Sequence, residues 1–215
     1  MVLIVFEGCD NLGKTTLIDS IVSDYRSQRD IVMIHSMGPG KNVQDPFEYQ
    51  KEIFFVLASK IQMLSSFENS FVPKTGQNIV LLDRSWFGEY VYGQIYRNEP
   101  PEEINRYVID RCCSMVSRKD NVYPVVVHLD ADTGFIMKMD DGYSFSSDMV
   151  RSERLKHIDN ERILFDEAFA RIRENSASKF RYMKVKVDKD GEFRPKDELL
   201  NEIYDTIENR FGIEL

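Results

Sequence analysis

Residues 1 to 16 read MVLIVFEGCDNLGKTT, and this stretch decides the fold. Val2 to Phe6 is an apolar run of strand length. It breaks at Gly8, where Gly8-Cys9-Asp10-Asn11-Leu12-Gly13-Lys14-Thr15 matches G-x-x-x-x-G-K-[ST], the phosphate-binding loop pattern. Beyond it Leu17, Ile18, Ile21, Val22 and Tyr25 recur at helical spacing, so the pattern sits between a strand and a helix as its chemistry requires.

A polyphosphate needs donors that converge on it without side chains in the way. Gly8 and Gly13 allow a tight turn and close approach of the backbone. The N–H groups of Asn11, Leu12, Gly13, Lys14, Thr15 and Thr16 can then form an anion nest, aided by the helix dipole. Lys14 adds a mobile charge for the outer phosphates, and the Thr15 hydroxyl can ligate Mg²⁺. A polyphosphate with Mg²⁺ is the expected ligand.

Outward from this loop the chain alternates strands and helices. Helix one runs from Lys14 to about Ser27, and Asp30 to Ser36 is strand two, followed by a turn-rich loop over Met37 to Asn42. Pro46 opens a helix to about Glu68, and Asn78 to Leu82 is strand three, ending on Asp83-Arg84. A helix through Tyr90 and Tyr96 breaks at Pro100-Pro101, Glu102 to Arg118 is helical, and Tyr123 to Leu129 is strand four. A polar stretch, Asp140 to Asp148, leads into a charged helix from Met149 to Asn175. Arg181 to Val187 is the last strand, Asp188 to Gly191 a turn, and Pro195 opens the final helix. This alternation predicts an α/β fold: a five-stranded parallel sheet with helices on both faces, of the phosphate-loop NTPase type. Ligands then bind beyond the C-terminal ends of the strands, where the phosphate loop and Asp83-Arg84 share one rim.

The chain has 215 residues, 42% hydrophobic and 30% charged, which fits one soluble domain. A net charge of −8 argues against a polymeric nucleic acid as partner but not against a mononucleotide. Cys9, Cys112 and Cys113 are odd in number and form no metal spacing or disulfide framework, so a reducing, cytoplasmic compartment is expected. There is no apolar run of membrane length and no basic leader before strand one, so neither a membrane nor a signal peptide is expected.

Asp83 at a strand end can hold the water shell of Mg²⁺, and Arg84 beside it can grip a second phosphate by a bidentate fork. Arg151, Arg154, Lys156 and Arg162 crowd the charged helix after the polar stretch, as an arginine-bearing lid over about residues 138 to 156 would. The competing view is a solvated helix face paired through Glu153, Asp159 and Glu161. Among Phe54, Phe55, Trp86, Tyr90 and Tyr92, one or two can offer a face to a nucleobase, the rest being core. His35 and His128 fall in strands and read as core histidines.

These features together resemble the thymidylate kinase family. EGCDNLGKTT matches that family's phosphate loop, Asp83-Arg84 its DR pair, Ala58-Ser59-Lys60-Ile61-Gln62 its A-x-R-x-Q segment, and Ile158-Asp159-Asn160-Glu161 with Phe165 the segment after its lid. The resemblance implies transfer of the γ-phosphoryl group of ATP to a deoxynucleoside 5′-monophosphate by a cytoplasmic homodimer built on the helices flanking the DR pair. By position it implies that Asp10 contacts the sugar 3′-hydroxyl, Arg84 holds the acceptor phosphate, Lys14 bridges the transferring group, and Mg²⁺ lies near Thr15 and Asp83. Family members place a catalytic arginine in the loop or the lid. Asn11 occupies the loop position, so Arg151 or Arg154 must supply that charge. Phe55, Lys60 and Tyr92 fall where members bind the acceptor nucleoside.

Two departures bear on the base. Lys60 replaces an arginine, with Val56 where a phenylalanine is expected, and Ser85-Trp86-Phe87-Gly88-Glu89-Tyr90 replaces the usual residues after the DR pair. The implied acceptor is a thymidylate-like pyrimidine, modified bases such as 5-substituted deoxyuridylates included. Two other readings differ in what they require. A deoxynucleoside kinase needs a carboxylate base just after strand two, where this chain has His35-Ser36-Met37-Gly38-Pro39-Gly40. A guanine-nucleotide switch needs an N-K-x-D segment, which is absent.

Overall fold

A computed structural model describes residues 1–36, 38, 43–67, 77–139, 151–174 and 179–215, with Arg151 and Arg171 described by their backbone alone. Strand β1 (Val2–Glu7) is buried along its whole length and sits at the sheet's centre. Helix α1 (Lys14–Tyr25), β2 (Ile31–His35), α2 (Pro46–Phe67), β3 (Ile79–Asp83) and α3 (Trp86–Arg97) follow. Next come α4 (Pro101–Ile104), a π-helical segment (Asn105–Ile109), α5 (Asp110–Ser117), β4 (Tyr123–Asp130) and α6 (Thr133–Met139). The chain closes with α7 (Arg151–Glu174), β5 (Arg181–Lys186), a two-residue-per-strand hairpin of β6 (Asp188–Lys189) and β7 (Glu192–Phe193), α8 (Lys196–Asp205) and a second π-helical segment (Thr206–Arg210).

The main sheet has the order β2-β3-β1-β4-β5 with every pair parallel. The inner strands read as unbroken apolar runs because both of their faces are covered, whereas edge strand β5 alternates buried and exposed positions. Helix α3 packs against α7, α2 against α5, and α1 against α8. His128 lies in this core: its Nδ1 is 3.0 Å from the Tyr182 hydroxyl, its ring is 4.9 Å from that of Phe169, and burial pushes its pKa down to about 4.

All five parallel strands fall where the sequence pattern puts them. The turn expected over Asp188 to Gly191 falls at residues 190 and 191, flanked by the short β6–β7 hairpin, and α6 fills a span that the sequence pattern leaves unassigned. The expected lid lies mostly in residues 140–150, outside the described residues. Among the described residues no helix is long and apolar enough to cross a membrane.

Candidate active site

The register of the sheet brings the ends of β1 and β3 side by side, with Phe6 opposite Asp83. Gly8 leaves β1 at φ 129°, and a Cβ there would run into the Leu129 carbonyl oxygen on β4. Only glycine can pass so close to the neighbouring strand. Asn11 (φ 62°) and Gly13 (φ 78°) are left-handed, and Gly13 caps α1. Lys14 is buried beneath the loop, and its Nζ donates to the carbonyls of Gly8 (2.8 Å) and Cys9 (2.7 Å). An ammonium has three donors, so one remains to face outward.

Around this loop lies a cavity of about 550 Å³ lined by Asp10, Asn11, Leu12, Gly13, Lys14, Thr15, Thr16, His35, Asp83, Arg84, Met139 and Phe193. Nine of these residues are ones that the sequence singles out. Thr15 Oγ1 donates to Asp83 Oδ2 at 2.8 Å, and His35 Nδ1 lies 3.1 Å from the same oxygen. A hydroxyl and a carboxylate side by side at a phosphate loop are hard oxygen donors suited to Mg²⁺, which takes one or two protein ligands and completes its shell with phosphate and water. Among the described residues no group of three or more histidines, cysteines or acids could hold a metal alone.

Arg84 has φ 67°, a conformation that costs a non-glycine residue energy and is held here by its surroundings. Its N–H donates to the Phe6 carbonyl at 3.1 Å, its guanidinium pairs with Asp10, and the same group lies 5.6 Å from the centre of the Tyr92 ring. Glu7 fixes the turn from below. Its Oε1 accepts from the Ser85 N–H (2.7 Å), the Ser85 hydroxyl (2.7 Å) and the Gly88 N–H (3.3 Å). Burial pushes the Glu7 carboxyl up to about 7, against the pull of the Ser85 hydroxyl and the Lys14 charge. A buried acid here gathers N–H groups of the cap and first turn of α3, where the helix's own backbone leaves donors short of partners.

Arg84 also lines a second, smaller cavity of about 100 Å³, together with Gln50, Phe54, Glu89, Tyr92 and Arg97. Tyr92 is therefore beside Arg84, as expected from its position. Phe55 and Lys60 are not. The Phe55 ring faces away, 4.2 Å from the Arg111 guanidinium of α5. Lys60 lines a separate groove of about 320 Å³ with Tyr49, Ile53 and Val56. The face of α2 turned toward Arg84 carries Gln50 and Phe54 instead.

Arg154 is half-buried in the first turn of α7, and the Arg151 side chain lies outside the described residues. Arg162 is committed elsewhere: Nε and Nη2 hold both oxygens of Asp130 at 2.8 and 3.1 Å, and Nη1 donates to Thr133 at 3.0 Å. His35 is no core histidine, since half of its side chain is exposed at the cavity rim. Glu161, which the sequence offers in the segment matched after the lid or as part of a solvated helix face, is buried rather than solvated. It accepts from the Tyr96 hydroxyl at 2.9 Å, and burial pushes it up to about 7, with the Asp10 charge adding to the rise. Burial also pushes the Cys9 thiol up, so Cys9 is no nucleophile. Phe193 and Met139 give the cavity an apolar wall, with Phe193 set edge to face on Phe135 at 4.8 Å.

No protein-family model matches the chain, and no curated protein does. Solved structures match over essentially its whole length. The YorR protein of Bacillus subtilis, solved in complex with phosphorylated GDP, superimposes with a TM-score of 0.58 at 18% identity, covering 99% of each chain. Thymidylate kinase of Candida albicans superimposes with a TM-score of 0.53 at 16% identity, covering 99% of this chain and 93% of that one. The fold is thymidylate-kinase-like. At these identities the likeness shows the architecture alone.

Proposed function

We propose that this thymidylate-kinase-like chain is an ATP-dependent deoxynucleoside-monophosphate kinase acting as a single domain. The observation that carries the reading is Arg84. It lines both the cavity over the phosphate loop and the smaller cavity along α3, so a guanidinium stands where two anionic ligands would meet end to end. A fork of N–H donors there suits the phosphate of an acceptor.

In this reading an oxygen of the acceptor phosphate attacks the γ-phosphorus of ATP, and the bond to the β–γ bridging oxygen breaks, giving ADP and a nucleoside diphosphate. The acceptor phosphate is already anionic, so no strong general base is needed. The loop N–H groups hold the donor phosphates, and Lys14 follows the charge that develops on the transferring group. Thr15 and Asp83 would hold Mg²⁺, which neutralises phosphate charge when bound. Asp10 meets the acceptor sugar while its carboxylate orients Arg84. Phe193 and Met139 cover the donor base. Arg151 or Arg154 completes the charge around the transferring group from the lid. Exposed Tyr49, Ile53, Val56 and Met63 follow one another at helical spacing along α2, which supports the homodimer that the resemblance implies. The three cysteines are free, in keeping with a reducing cytoplasm.

The test is a turnover assay with Mg²⁺-ATP and each deoxynucleoside monophosphate, beside each nucleoside and beside GTP alone. ADP formation that depends on a monophosphate is expected. Transfer to nucleosides alone, or GTP binding without transfer, would overturn the proposal.

A further inference from the structure

His35 stands at the tip of β2, on the rim of the cavity over the phosphate loop. The sheet fixes it there. His35 and Asp83 are partners in the β2–β3 register, and the Ser36 N–H donates to the Asp83 carbonyl at 3.0 Å. The Asp83 side chain is buried, and its Oδ2 is the meeting point of two neighbours. Thr15 Oγ1 lies 2.8 Å from it and His35 Nδ1 lies 3.1 Å from it. Both separations match neighbouring corners of an octahedron, which lie ~3.0 Å apart when metal–donor bonds are about 2.1 Å. The cavity that all three residues line also holds the loop from Asp10 to Thr16, so the three donors and a polyphosphate face the same space.

We infer that His35 is a third protein ligand of the metal ion, and that it turns the site toward a first-row transition ion, of the Mn²⁺-to-Co²⁺ kind, in preference to Mg²⁺. The inference deepens the kinase reading and rests on its phosphate-and-metal half alone. Neutral imidazole is a nitrogen donor. With its ring proton on Nε2, which the half-exposed ring can give to water, Nδ1 presents a lone pair beside Asp83. Mg²⁺ demands oxygens, keeps several waters and takes one or two carboxylates beside the substrate phosphates. Thr15 and Asp83 already meet that need. A ring nitrogen as third donor adds little for Mg²⁺ and more for each ion along the order Mn²⁺, Fe²⁺, Co²⁺, because imidazole suits the softer ions. Among the described residues no group of three or more histidines, cysteines or acids could hold a metal alone. Phosphate oxygens are therefore part of the site, and the ion arrives with the polyphosphate that the loop N–H groups hold.

The competing role for His35 is a plain hydrogen bond that steadies Asp83 and is blind to the metal. Binding and spectroscopy separate the two without any turnover. Preformed complexes of inorganic tripolyphosphate with Mg²⁺, Mn²⁺ and Co²⁺ are titrated into the full chain and into His35→Asn. The variant keeps a side-chain N–H for Asp83 and takes away the ring nitrogen. The wild type should bind the Co²⁺ complex at least ~10-fold more tightly than the Mg²⁺ complex, with Mn²⁺ between them. His35→Asn should bring all three within about threefold of one another. Pulsed electron paramagnetic resonance of the Mn²⁺ complex reads the bond itself. Tripolyphosphate contains no nitrogen, so coupling from a directly bound ¹⁴N must come from the protein, and it should vanish in His35→Asn. Where the variant does not fold, wild-type chain carrying ¹⁵N-histidine decides, since of the three histidines His35 alone lines this cavity among the described residues. The ¹⁴N signal should then give way to ¹⁵N. Equal affinity of the wild type for the three complexes, or Mn²⁺ without nitrogen coupling, overturns the inference and leaves the kinase reading standing. Failure to bind any of the complexes removes both.

Discussion

The two halves of the crevice are made in different ways. The cavity proposed for the donor is lined mainly by one continuous stretch, Asp10 to Thr16, closed by His35, Asp83 and Arg84 at the neighbouring strand ends and by Met139 and Phe193. The cavity proposed for the acceptor is gathered from α2, the β3–α3 turn and the far end of α3, and it is braced from β1 by Glu7, 78 residues from its partner Ser85. A loop that binds with main-chain amides needs only glycines and one lysine at fixed spacing. A pocket that binds with side chains needs distant elements to arrive in the right rotation. The difference between the halves can be broken or sharpened by substitution.

The largest effect should come from Lys14→Ala, which removes the charge that follows the transferring group. A fall in kcat of at least ~1,000-fold with an unchanged fold by circular dichroism is expected. Arg84→Ala should act on the other half: acceptor KM rises on the order of 100-fold while ATP KM moves less than about threefold. Movement confined to ATP KM would place Arg84 on the donor side alone. Phe193→Ala should raise ATP KM by roughly three- to tenfold and leave acceptor KM alone, since it trims only the apolar wall.

Smaller still is a pH effect on stability. Glu7 has its pKa raised by burial to about 7, from an ordinary 4.5. Between those values the native state holds a proton that the unfolded state has released. The contribution of Glu7 is therefore fully present below about pH 4.5 and is lost as pH rises toward 7. Each unit of the rise costs on the order of 1 kcal/mol. Tm of the wild type relative to Glu7→Gln should fall between pH 5 and pH 8, and a constant difference would count against the assignment. The smallest effect belongs to Lys60→Ala, which should leave both KM values within about twofold because Lys60 lines another groove.

Lys60 also shows where the sequence stops being legible. A match of a few letters over residues 58 to 62 gives a position along a helix but not its rotation. Two residues turn a helix by ~200°, so Val56 faces out where Phe54 faces in. The stripe Phe54, Leu57, Ala58 and Ile61 marks the buried face of α2, and it is the better guide to rotation. The five parallel strands and the loop were readable because their signals are local. Glu7 and Glu161 fall inside matched segments that give neither a role, since their meaning lies in partners far along the chain. His35 was placed by its strand rather than by the strand's end, where the rim begins.

The central claim is that donor and acceptor phosphates meet end to end across Arg84. Its most direct test is calorimetric titration with an adenosine and a deoxynucleoside joined 5′ to 5′ through five phosphates. The account predicts one such molecule per chain, bound at least ~100-fold more tightly than ATP or the monophosphate alone, because linking ligands that meet makes the second contact intramolecular. Affinity no greater than that of ATP would contradict it.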